Sequence, residues 1–129
     1  MYQIKRNHVV EDLQVEDNGK TLDLHVDLNV DAILQRYTEA ARALANVQKE
    51  MRKGSTEERL AAFGAAIVDV FAVVFGKDQT EQLVAFYDGA YTEMLADVVP
   101  FINDVVAPKI NEAQQRIMAQ YAQAKVAKK

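Results

Sequence analysis

Three side chains in the stretch KTLDLHVDLN, residues 20–29, have types that do chemistry: Asp23, His25 and Asp27, a histidine flanked by two carboxylates at every second position. Carboxylate and imidazole are the ligands of a catalytic zinc, so the pattern raises a metal-dependent hydrolytic site. In an extended strand the three share a face, about 7 Å apart from one to the next. That spacing is loose for one ion, whose ligands must close to about 2 Å. The chain has one other histidine, His8, and no helical His pair. A solvated polar face opposite a leucine face accounts for all three residues without a metal, and is the preferred reading.

The elements around them follow from periodicity. Leu13 and Val15 alternate with polar residues, Asn18-Gly19 follows, and Leu22, Leu24, Val26 and Leu28 alternate again. Asn-Gly between two alternating runs supplies the positive φ that a two-residue hairpin turn demands, so residues 10–28 are expected to form a β-hairpin. A lone hairpin is barely stable in water, and its leucine face must lie on helices or on a neighbouring subunit.

After Asn29 the period changes to about 3.6. Val30, Ile33, Leu34, Tyr37, Ala41, Leu44, Val47 and Met51 form one stripe, predicting a helix over 31–52 capped by Asn29 or Asp31 and ended by Gly54. Ser55-Thr56-Glu57-Glu58 reads as a capping box ahead of a second helix. Its stripe is Leu60, Phe63, Ile67, Val70, Phe71 and Val74, and the opposite side, carrying Ala62, Ala65, Ala66, Val73 and Asp69, permits close approach of a second helix from this subunit or another. Asp69 reads as a rim carboxylate. Gly76 ends this helix, and Asp78-Gln79-Thr80-Glu81 is expected to cap a third. Asp88-Gly89 marks a break, after which Tyr91, Met94, Leu95, Val98, Phe101, Ile102, Val105 and Val106 resume helical spacing. Pro100 and Pro108 each remove a donor, and are expected to kink or divide the helices that contain them. The fold class is therefore mainly α with a small N-terminal β-hairpin: an α+β helical bundle of about four helices. It forms one domain, with a hairpin region over 1–29, a helical core over 30–108 and a basic, partly mobile C-terminal helix over 109–129.

That last helix carries Ile110, Ala113, Ile117, Tyr121 and Ala124 on a stripe too narrow for a core. Ile110, Ile117, Met118 and Tyr121 are the candidate partner-binding residues. The unspent apolar surface predicts a homo-oligomer. Residues 1–108 hold ten basic and eighteen acidic side chains, whereas 109–129 hold five basic and one acidic. An acidic body does not suit nucleic acid as the main partner. The apolar run 60–75 is too short for a membrane span and carries Asp69, the start lacks the apolar middle of a secretory signal, and the absence of cysteine suits a reducing compartment. A cytoplasmic protein is expected. No phosphate loop, serine elbow or spaced nucleophile and base is present, so neither an enzyme nor a cofactor is expected.

The segments TLDLHVDLNVD, ILQRYTEAARALANVQKEM, the helix closing on VVFG, and above all FYDGAYTEMLADVVPFINDVVAPKI resemble the small tail assembly chaperones of long-tailed bacteriophages. Phe86, Tyr87, Tyr91, Met94, Pro100, Phe101, Ile102, Pro108, Lys109 and Ile110 carry the likeness, which spans roughly residues 20–110 through apolar patterns rather than a catalytic signature. The resemblance implies a non-enzymatic protein that coats the tape-measure protein in the host cytoplasm, keeps its helices from aggregating and is absent from the finished tail. In such families a frameshifted, longer form recruits the tail-tube protein. A helical structural or adaptor protein of a phage head-tail assembly is the alternative, and a metal-dependent enzyme the third.

Overall fold

The computed structural model describes residues 1–127, with side chains to Ala124. An antiparallel hairpin comes first, β1 over His8–Asp17 and β2 over Lys20–Asn29. Asn18 and Gly19 turn it, with φ of 51° and 82°, the left-handed values an Asn-Gly hairpin supplies at least cost. Leu13 faces Leu24, Val15 faces Leu22 and Val9 faces Leu28, so one face of the ribbon is apolar, and Leu24 and Val26 are fully buried. Helices cover that face, which is how a ribbon of two strands is held.

Strand β2 passes without a loop into α1, Val30–Met51. Asn29 occupies the cap position but its side chain caps nothing. Helix α2, Glu57–Phe75, packs along α1 and carries the centre of the core: Ile67, Val70, Phe71 and Val74 are buried, and Phe71 meets Phe75 edge-on at 6.2 Å. Thr56, not Ser55, caps it: the Thr56 hydroxyl accepts from the Arg59 amide at 3.1 Å, which makes Arg59, and not Glu58, the third helical residue, so the expected capping box does not form. Gly76, at φ 82°, turns the chain into α3, Lys77–Phe86. The cap expected from Asp78 onward is corrected too, because the helix has already begun at Lys77 and Thr80 instead donates back to the Gly76 carbonyl at 2.7 Å.

After Asp88 and Gly89, both at positive φ, one unbroken helical run spans α4 (Tyr91–Phe101), a π-helical segment (Ile102–Val106) and α5 (Ala107–Ala127). Pro100 and Pro108 do not divide it. The wider π turn falls between them and contains Asp104, whose carbonyl Pro108 would crowd in a regular α-helix, so the chain accommodates Pro108 by changing hydrogen-bond register, while Pro100 sits within α4. The bundle thus has four rods, α1, α2, α3 and the α4–α5 run, with the hairpin laid on them. No helix among the described residues is long and apolar enough to cross a membrane.

Candidate partner-binding surface

Asp23, His25 and Asp27 lie on the exposed face of the hairpin, and each is engaged across the ribbon rather than with the others. Asp23 accepts from Gln14 at 2.9 Å, His25 Nδ1 meets Asp12 at 2.7 Å, and Asp27 meets His8 Nδ1 at 2.7 Å. Strand pairing sets this: Asp12 is directly opposite His25 and Gln14 opposite Asp23. Among the described residues no three His, Cys, Asp or Glu side chains are arranged to hold a metal ion. These side chains are cross-strand pairs of a solvated sheet surface.

The candidate residues on α5 divide into two groups. Ile110 is buried, as is Ala113, and Ile117 is half-buried against the same core. The assignment of Ile110 to an exposed surface is corrected: one turn beyond Val106, with Ala113 at two, it continues the core stripe of the preceding π segment, and Lys109 pairs with Glu11 to hold the start of α5 on the hairpin. Met118 and Tyr121 are exposed, at 62% and 65%. Tyr121 lies on the same helical face as Ile110 and Ile117, so the apolar stripe outruns the body that covers it. Every residue from Met118 to Ala124 is exposed. The basic side chains of Lys125, Lys128 and Lys129, and with them part of the expected mobility of 109–129, lie outside the described residues.

A second apolar surface was not foreseen from sequence. The start of α2 and the start of α4 enclose a groove of about 910 Å³, lined by Leu60, Ala61, Phe63, Ala90, Tyr91 and Ala96, with Glu57 and Glu93 at its rim. Leu60 is half exposed there, although its place on the α2 stripe predicts burial. The helices approach closely because residue 64 is glycine: a Cβ there would stand 2.8 Å from the Tyr91 ring. The one available signal was the Phe63-Gly64-Ala65-Ala66 run. Ala96 and Thr92 continue into a second, largely apolar patch with Leu44, Leu95, Val99 and Pro100, on the side of α4 away from Asp97. Asp69 is exposed beside Arg36 and Glu39, as a rim carboxylate should be.

Where the hairpin tip meets the α3–α4 junction, Glu16, Asp17, Asp88, Glu93 and Asp97 surround Tyr87. The phenol donates to Asp97 at 2.9 Å. Partial burial, then the hydrogen bond to Asp97 and the neighbouring carboxylate charges, hold its pKa well above the ordinary tyrosine value. The surface thus presents apolar grooves and an exposed apolar helix beside concentrated negative charge, a combination suited to gripping helices with basic flanks. No protein-family model matches the chain, and no curated protein or solved structure matches it.

Proposed function

We propose that this protein is a non-enzymatic tail assembly chaperone of a long-tailed bacteriophage, working in the host cytoplasm, that binds the tape-measure protein and helps recruit tail-tube protein. The observation that carries the reading furthest is the far half of α5, where Met118 and Tyr121 extend an apolar helical stripe past the end of the core. Exposed large apolar side chains on a helix are a cost to a protein that acts alone, and a partner helix removes it. The resemblance over residues 20–110 supplies the partner's identity: a tape-measure protein is a long, largely helical chain whose apolar faces lack cover until the tail is built. The groove between α2 and α4 offers a second seat of the same chemistry. Self-association belongs to the same reading, since a homo-oligomer would array these surfaces along an extended client.

The experiment is co-expression with the tape-measure protein from the same genome. The tape-measure protein should become soluble and co-purify with the chaperone, and tail-tube protein should join the complex. A tape-measure protein that stays insoluble, or soluble but unbound, contradicts the reading.

A further inference from the structure

The two edges of the hairpin are treated differently. In a hairpin closed by a two-residue loop, Asp17 and Lys20 exchange hydrogen bonds and the exchange recurs at every second pair, so the residues between turn their N–H and C=O groups outward. On β2 the outward groups of His25 are both taken by one side chain: Gln79 accepts from the His25 amide at 2.7 Å and donates to its carbonyl at 2.7 Å. The start of α3 thus ties that edge at its middle residue. On β1 the outward positions are His8, Val10, Asp12, Gln14 and Glu16, and among the described residues nothing hydrogen-bonds to their backbone. The strand is ten residues long, with no proline and no bulge in its register, and Val10 is half exposed on it. A regular, unpaired edge of this length is a template for another strand.

Residues 1–7 directly precede β1, form no secondary structure and are exposed throughout. Their sequence, MYQIKRN, places Tyr2, Ile4 and Arg6 on one side of an extended chain, in phase with His8, Val10 and Asp12. Tyr2 and Ile4 are 90% and 78% exposed. The segment carries Lys5 and Arg6, whereas β1 carries Glu11, Asp12, Glu16 and Asp17.

We propose that two copies of this chain pair through β1 and residues 1–7 about a two-fold axis at Val9, joining their hairpins into one four-stranded antiparallel sheet. Charge chooses this register. A pairing confined to β1 and centred on Asp12 sets Asp12 against its own copy, and like charges directly opposite are unfavourable. Centring on Val9 sets Arg6 of each chain against Asp12 of the other, twice by symmetry, with His8 against Val10 and Ile4 against Gln14. Each Asp12 then lies between His25 of its own chain and Arg6 of the partner subunit. The two Val10 side chains become diagonal neighbours, and the outward backbone groups of both edges are satisfied. The interface is isologous and closes at the dimer. It concerns the route of self-association, and its test contains no tail protein, so its failure is distinguishable from a failure to bind the tape-measure protein.

The test is the mass in solution, by light scattering and sedimentation, of the full chain and its variants. Wild type should be a multiple of two chains. Val10→Pro removes an outward N–H that the hairpin itself does not use, so it should keep the wild-type circular dichroism and split the pairs. Arg6→Asp lies in the exposed segment, where folding is not at stake, and should weaken pairing at least tenfold. Adding Asp12→Arg to Arg6→Asp should restore it. A monomeric wild type, an Arg6→Asp variant that pairs as wild type does, or a double variant no better paired than Arg6→Asp alone would overturn the proposal.

Discussion

At the scale of single residues, stability and polar chemistry separate cleanly. Phe71 has no exposed surface and lies on the α2 stripe that faces the hairpin and α1. Phe71→Ala should cost about 3–5 kcal/mol by chemical denaturation, the usual price of a buried aromatic truncation. A loss below about 1 kcal/mol would show that the stripe is not the core. Tyr87 gives a pH prediction of definite sign. Its folded pKa is raised above the ordinary 10.0, so the folded state holds the phenolic proton more tightly than the unfolded chain. The stability this contributes is complete below pH 10 and is lost as pH rises from there through the folded value. Tyr87→Phe should therefore flatten the alkaline limb of the stability curve, and an unchanged limb would show that the phenol is not held by Asp97. His25 illustrates what spacing conceals: its period-two placement between carboxylates was legible, but its partner Asp12 lies thirteen residues away and became identifiable only once the strand register was known.

At the scale of elements, hydrophobic periodicity and punctuation were readable. Asn18-Gly19 set the hairpin, the change of period at Asn29 marked the start of α1, and Gly76 and Asp88-Gly89 fell at breaks. Cap chemistry was less so, because Ser55 and Thr56 are equally competent acceptors and only the position of the first helical residue decides between them. At Pro100 and Pro108 sequence left a kink and a division both open, and the run is not divided. A π turn is a register choice that no residue type announces, and it let α4 and α5 run on. Nor does sequence show that Gln79, in the first turn of α3, reaches 54 residues back to the His25 backbone while also donating to the Phe75 carbonyl at 2.7 Å. That side chain ties the hairpin to the α2–α3 junction. Gln79→Ala should lower stability by about 0.5–1.5 kcal/mol, the net contribution of a hydrogen bond, since it frees the exposed His25 backbone and the partly buried Phe75 carbonyl. Thermal and denaturant unfolding check it, and a loss under about 0.5 kcal/mol would mean that water replaces the amide.

At the scale of the whole molecule, the acidic body carries apolar grooves on α2 and α4 and an exposed apolar extension on α5. The narrow stripe of α5 was visible in sequence, but its division at Ile117 was not, because where a core ends depends on how far the other helices reach. A cut after Lys109, which on sequence grounds should leave the fold intact, would remove Ile110, Ala113 and Ile117 from the core. That form should lose at least about 2 kcal/mol, the lower end for one truncated buried aliphatic residue. A cut after Ile117 should leave the melting transition nearly unchanged, and differential scanning calorimetry distinguishes the two. The proposed function is tested most directly by the affinity of the full chain for tape-measure protein, measured for wild type and for Met118→Glu with Tyr121→Glu. With both side chains exposed, the double variant should fold as wild type and bind at least tenfold more weakly. Wild-type affinity in a folded double variant would contradict the assignment of this surface to the partner.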